Sequence, residues 1–200
     1  MRPSCIVEES FSFLCTSNNH LPRILKMVDA LASHGGTLHA IDGMELRRFP
    51  DLSCIAGLSE EHLRQLGFGY RAKTIPIAAR QILDRGGLPW LESLRASEHP
   101  VARAELMQLA GVGPKLADCI CLYALHHDSA VPVDTHVWKA ATRGFFPEWQ
   151  GTSLTPQKYN AVADMFNSLF GDLAGYAQQL LFHDQLVNWR AYRQSGSTGF

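Results

Sequence analysis

Cysteine is scarce in this chain and badly spaced for structural work. The five cysteines, Cys5, Cys15, Cys54, Cys119 and Cys121, are an odd and scattered set. That excludes a disulfide scaffold and fits a reduced, intracellular setting. No pair has zinc-finger spacing, because Cys119 and Cys121 stand two apart inside a helical pattern. No apolar run reaches the roughly eighteen residues that a membrane-crossing helix needs. The opening M-R-P-S-C-I-V-E-E lacks the charged-then-apolar layout of a signal peptide. Charge is not in excess either: the net value is −1 and charged residues make up 18%. A non-specific nucleic-acid coat needs many phosphate-neutralising cations, so that class is disfavoured. A local basic face remains open, since the placement of charge decides it. Strand signals are nearly absent.

What is present is apolar content, 46% over 200 residues, enough for one domain or for two small lobes. The recurring grammar is helical, with proline in first turns and glycine after last turns. Glu8 to Thr16 and Leu21 to Ser33 read as amphipathic helices joined by the turn T-S-N-N-H. Residues 37–58 read as short pieces of unassigned structure. Ser59 reads as an N-cap, and Thr74 to Asp84 as a helix with Pro76 in its first turn and Gly86-Gly87 as its stop. Pro89, Pro100, Pro114, Thr135 and Thr155-Pro156 open further helices, and the last runs from about Asp172 to Trp189. The expectation is an all-α, two-lobed core over 1–190, with 191–200 as a loose polar tail.

The stretch with most chemistry is L-A-G-V-G-P-K, Leu109 to Lys115. One helix ends, a turn uses Gly111 and Gly113, and a new helix begins at Pro114. Glycine permits positive φ and the close approach of another backbone. The new helix offers free N–H groups and a partial positive charge, together a phosphate seat. The spacing is not that of a P-loop, and no strand precedes it, as a dinucleotide fingerprint requires. Lys115 lies against the helix dipole, which favours a neutral amine, and a neutral amine can attack carbon and form a Schiff base. A solvated lysine that binds phosphate is the other reading, and spacing alone leaves both open. Asp134 precedes a helix, where it can serve as an N-cap. A carboxylate held by backbone N–H groups can also stabilise a cationic sugar. His136, two residues on, could contact phosphate or be structural. Asn18 and Asn19 read as turn formers.

The segments L-x-G-V-G-P-K-L-A-D-C-I-C-L and A-V-P-V-D-T-H-V-W resemble the helix-hairpin-helix–Gly/Pro–Asp DNA glycosylases. Within them the chain is most similar to the 8-oxoguanine DNA glycosylases of eukaryotic type. F-S-F-L-C-T-S-N-N, L-G-F-G-Y-R-A-K and A-G-Y-A-Q-Q-L-L-F extend the likeness in the same order, over roughly residues 8–185, with the hairpin at about 104–126. The resemblance implies Lys115 as Schiff-base nucleophile and Asp134 as the essential aspartate. It implies contacts from Asn18, Asn19 and Arg23 to the orphaned cytosine. Tyr70 and Arg71 would wedge into the duplex, since a base flipped out for chemistry leaves a hole to fill. Gln178 and Phe182, four apart on one helix face, would line the base pocket with Pro132 and Cys119. Gly111, Gly113, His136 and Gln150 would touch the DNA backbone. The carbonyls of Met107, Leu109 and Val112 could hold a monovalent cation. The implied protein is a monomer acting on double-stranded DNA with a damaged base. It needs no cofactor and no membrane. In a eukaryote it would work in the nucleus or mitochondrion, in a bacterium in the cytoplasm.

Two departures qualify the resemblance. The family's eukaryotic members carry a β domain before the equivalent of Glu8, and this sequence starts almost there. A truncated form, an isolated core or a compact relative with altered base discrimination are the alternatives. The four-cysteine iron–sulfur loop of the endonuclease III-like and adenine glycosylase branches is absent, as no cysteine follows Cys121. A glycosylase for another lesion and a catalytically silent DNA-binding module are the rival readings.

Overall fold

The computed structural model describes residues 5–41 and 44–180. The chain forms two compact units, Met1–His127 and Asp128–Phe200. Phe182 and the tail at 191–200 lie outside the described residues.

In the first unit the helices are α1 (Ile6–Leu14), α2 (Leu21–Ala32), α3 (Leu52–Gly57), α4 (Glu60–Gln65), α5 (Arg71–Asp84), α6 (Leu88–Arg95), α7 (His99–Leu106) and α8 (Pro114–Cys119). A π-helical turn, Ile120–Ala124, continues α8. The helix α5 is the organising element, and α1, α3, α4 and α6 all pack on it. Its buried side is small and branched, with Ala72, Ile75, Ala78, Ala79 and Ile82 at 0–1% exposure. Phe11, Phe68, Leu63 and Leu91 close the same core at 0%. Each such phenylalanine, leucine or isoleucine contributes about 1.5–3 kcal/mol when fully buried.

Two differences from the sequence expectation have local causes. The helix α5 starts at Arg71, not Thr74, so Pro76 lies inside it rather than in a first turn. The prolyl ring forfeits one backbone bond near the start, where Ala72, Ile75 and Ala79 are fully buried and packing holds the helix. Residues 37–47 contain an antiparallel hairpin, β1 (Thr37–Ile41) and β2 (Met44–Arg47), with Ile41 opposite Met44 and Thr37 opposite Arg47. The residues between the strands, Asp42-Gly43, are a dipeptide that two-residue hairpins favour. The architecture is otherwise helical among the described residues. The chain leaves α2 for the hairpin through Gly35, where any Cβ would collide with the Arg48 carbonyl oxygen. No residue but glycine fits that crossing.

The second unit contains α9 (Thr135–Gly144), α10 (Pro156–Phe170) and a helix described over 174–180. Short 3-10 turns lie at Pro147–Trp149 and Gly171–Leu173. The core gathers Val131, Val133, Val137, Ala141, Tyr159, Val162, Phe166 and Ala174. Phe146 stacks on Trp149 at 4.3 Å between ring centroids, and Trp138 lies 6.1 Å from Trp149. Gly171, with φ 54°, ends α10 as its position after the apolar run predicts.

Candidate functional site

The hairpin between α7 and α8 is shaped from behind. Gly111 has φ 83°, a left-handed conformation that favours glycine. A Cβ there would also press within 3.1 Å of the Thr74 side chain on α5 and 3.6 Å of Leu14 on α1. The Val112 N–H donates to the Leu109 carbonyl at 3.1 Å and closes the turn. The Ala110 N–H donates to the Gln81 side-chain oxygen at 2.7 Å, which ties the turn to α5. Gly113 differs from Gly111, because its φ is −100° and any residue could adopt it. What Gly113 leaves is room: nothing lies within 4 Å of the place a Cβ would take, and no side chain caps α8. Pro114 takes the first helical position, where its missing N–H costs nothing. Lys115 follows, half-buried.

One turn after Lys115, Asp118 is 2% exposed and its carboxylate meets two groups of α7. His99 Nε2 lies 2.9 Å away and Arg103 Nε 3.1 Å away. This cluster clamps the two helices of the hairpin together. Cys119, buried at 4%, follows directly. Two other thiols are held protonated. Burial pushes Cys15 up to about 12, against a smaller opposing effect of Arg71. Burial, then the Asp118 charge, raises Cys121 further. Neither thiol is a ready nucleophile near neutral pH.

A second constellation in the same unit joins the turn after α1 to the turn before α5. Arg71 and Tyr70 both donate to the Ser17 carbonyl, Tyr70 through its hydroxyl at 3.0 Å. Arg23 donates to the Gly67 carbonyl at 2.8 Å. Asn19 donates to the Cys15 carbonyl at 2.9 Å and accepts the His20 N–H at 3.0 Å. Asn18 is exposed and has φ 45°. Asn18, Asn19, Arg23, Tyr70 and Arg71 are therefore neighbours, although some fifty positions separate the two turns. Of the two residues that the resemblance implies as a wedge, Tyr70 is exposed, at 56%. Arg71 is 2% exposed because its guanidinium turns inward to Ser17, with its carbon 4.5 Å from the Tyr70 ring centre. Its Nε is buried without a hydrogen-bond partner.

In the second unit Asp134 is the N-cap that its position predicts. Its Oδ1 accepts the N–H groups of His136 at 2.9 Å and Val137 at 2.8 Å. Its Oδ2 makes no hydrogen bond among the described residues. The approach to Asp134 is fixed by Tyr159, whose hydroxyl accepts the Val133 N–H at 3.2 Å and reaches the Val131 carbonyl at 3.4 Å. Pro132 between them is buried. Gln178 is buried at 6% on the helix over 174–180, while His136 and Gln150 are exposed. Phe182 falls outside the described residues. Gln81, Tyr159 and the Asp118 partners are not foreseen by the sequence. Asp118 alone has a signal, a charge inside the apolar helical run L-A-D-C-I-C-L.

A family model for HhH-GPD superfamily base excision DNA repair proteins matches residues 11–164. This chain belongs to that superfamily. Among HhH-GPD relatives it is 47% identical to the N-glycosylase/DNA lyase OGG1 of Arabidopsis thaliana, over 96% of this chain and 52% of the relative. It is 34% identical to an N-glycosylase/DNA lyase of Saccharomyces cerevisiae, over 90% of this chain and 54% of the relative. The chain thus spans about half the length of these curated relatives. Its fold is similar to a crystal structure of Clostridium acetobutylicum 8-oxoguanine glycosylase/lyase in complex with double-stranded DNA containing cytosine opposite 8-oxoG. The TM-score is 0.79 and the identity 29%, over 92% of this chain and 60% of that one.

Proposed function

We propose that this chain excises 8-oxoguanine opposite cytosine from double-stranded DNA and nicks the resulting abasic site. The observation that carries this reading is Lys115, half-buried at the second position of α8 behind the open Gly113 turn. The kinship with N-glycosylase/DNA lyases supports it. An enzyme that only activates water has no need of an amine at that position.

The chemistry follows from two groups. As the bond from C1′ to the base breaks, positive charge develops on the sugar. Asp134 is suited to stabilise it, because the backbone already orients its carboxylate through Oδ1, and Oδ2 makes no hydrogen bond among the described residues. The Lys115 amine bonds C1′, the base leaves with the bonding electron pair and takes up a proton, and the amine loses a proton. Ring opening gives the Schiff base. Loss of a C2′ proton then expels the 3′ phosphate and cuts the strand.

The remaining residues divide the recognition. Gln178, Phe182, Pro132 and Cys119 would line the pocket for the flipped base. Asn18, Asn19 and Arg23 would face the orphaned cytosine, with Tyr70 as the exposed wedge and Arg71 bracing it from the inner side. Gly111, Gly113, His136 and Gln150 would meet the backbone. The carbonyls of Met107, Leu109 and Val112 suit a monovalent cation, as carbonyl oxygens are hard ligands, and Leu109 spends only one lone pair on Val112. We assign the activity to residues 1–190 of an intracellular, monomeric repair protein, with 191–200 as a polar tail and no cofactor.

Borohydride trapping tests this on a duplex with 8-oxoguanine opposite cytosine. A covalent adduct that is lost in Lys115→Gln is expected. An adduct on a plain abasic site but not on the lesion would move the specificity to another base. Absence of both adducts would leave a DNA-binding module.

A further inference from the structure

We propose that His34 and His62 form a surface site for a divalent transition-metal ion of the nitrogen-preferring class. His34 lies just past the end of α2 and His62 in α4, both in the first unit. The His34 Nδ1 is 2.8 Å from the Ala30 carbonyl oxygen. A carbonyl can only accept, so Nδ1 carries the proton and Nε2 presents its lone pair. Metal-binding histidines are commonly oriented through such a bond from the second ring nitrogen. The His62 Nε2 stands 2.9 Å from the His34 Nε2, with the rings edge to face at 84°.

Imidazole nitrogens are suited to Cu(II), Ni(II) and Zn(II). No group of three or more potential ligands occurs among the described residues, so water would complete the shell. Without a metal, a ring N–H of His62 donating to His34 accounts for the contact.

The backbone that carries the pair is fixed independently. The Cys54 thiol lies 3.6 Å from the His34 carbonyl, the His62 N–H donates to Ser59 Oγ at 3.1 Å, and Gly35 is wedged under Arg48. At the far end of the same two elements Arg23 already joins α2 to the Gly67 carbonyl. An ion at His34 and His62 would tie the other end, bracing the turn that leads into Tyr70. The site does not depend on the glycosylase reading, because its test measures binding and melting.

Ni(II) titrated by calorimetry into the full, tag-free chain should show one ion per molecule and raise the melting temperature. His34→Ala and His62→Gln should each weaken binding at least tenfold and remove the melting shift. His20→Ala and Cys54→Ser should leave both unchanged. Equal affinity in the wild type and both histidine variants would overturn the proposal, as would the absence of any site tighter than millimolar. Loss of binding in Cys54→Ser alone would assign the ion to the thiol and equally overturn it.

Discussion

The two groups assigned to the chemistry are held in opposite ways. Asp134 is positioned by its own neighbours, through the N–H groups two and three residues on. The turn before Lys115 is positioned by a partner far away in sequence, Gln81 on α5, with Asp118 clamped to α7 one turn later. The cap itself forms within its own helix, and Tyr159 on α10 holds only the approach to it. A propped turn is right only when α5 and α7 are already in place. The cap at Asp134 should therefore tolerate damage to α5 and α7, and the turn before Lys115 should not.

The largest effect that sharpens this contrast is chemical. In Asp134→Asn the amide oxygen can still accept both N–H groups, so the melting temperature should stay within a few degrees. Base excision should fall by about 10²–10³ in single-turnover assays, the scale of removing one electrostatic stabiliser. Unchanged excision would remove Asp134 from the mechanism and leave it a cap.

Next comes the clamp. Asp118→Asn keeps the shape but removes the charge that answers Arg103 and His99. A loss of about 2–3 kcal/mol in urea unfolding is expected, with slower Schiff-base trapping through Lys115. Full stability with normal trapping would show that α7 and α8 need no clamp.

Gln81→Ala is the narrower test of the prop. It leaves the Ala110 N–H without its acceptor, a cost of about 1–2 kcal/mol. Gln81→Glu supplies an oxygen again and should recover most of the lost affinity for an abasic-site duplex. If alanine and glutamate behave alike, the bond does not set the turn.

The smallest effect lies in α1, which packs on the turn that continues α8. Burial raises the Glu9 carboxyl above its ordinary range, partly offset by His126 and Arg95. Its Oε2 is buried without a partner. The folded state thus holds the Glu9 proton more tightly than the unfolded chain does. This contribution favours folding below the unfolded value near 4.5 and is lost as pH rises through the raised folded value. Glu9→Gln should remove that slope and make the protein slightly more stable at neutral pH. An unchanged pH profile of unfolding would count against it.

The same contrast explains which features are readable in advance. Helix starts are legible because proline, serine, threonine and aspartate act within one turn. Ser59, Asp134 and Thr155 all accept the N–H groups that their positions predict. The start of α5 is not legible, because Pro76 reads locally as a first-turn residue and only the core packing carries the helix back to Arg71. The hairpin at 37–47 leaves a weak trace in Asp42-Gly43. The inward turn of Arg71 leaves none, since it depends on the Ser17 carbonyl across the fold.

The sequence by itself determined the helical grammar, the glycine turn before Lys115 and the cap at Asp134, because each depends on backbone groups a few residues apart. Only the tertiary structure decided that Asn18, Asn19, Arg23, Tyr70 and Arg71 form one neighbourhood. It alone decided that Gln81 supports the hairpin and that Asp118 joins α7 to α8. Those bonds join residues distant in the chain and leave no periodicity to read.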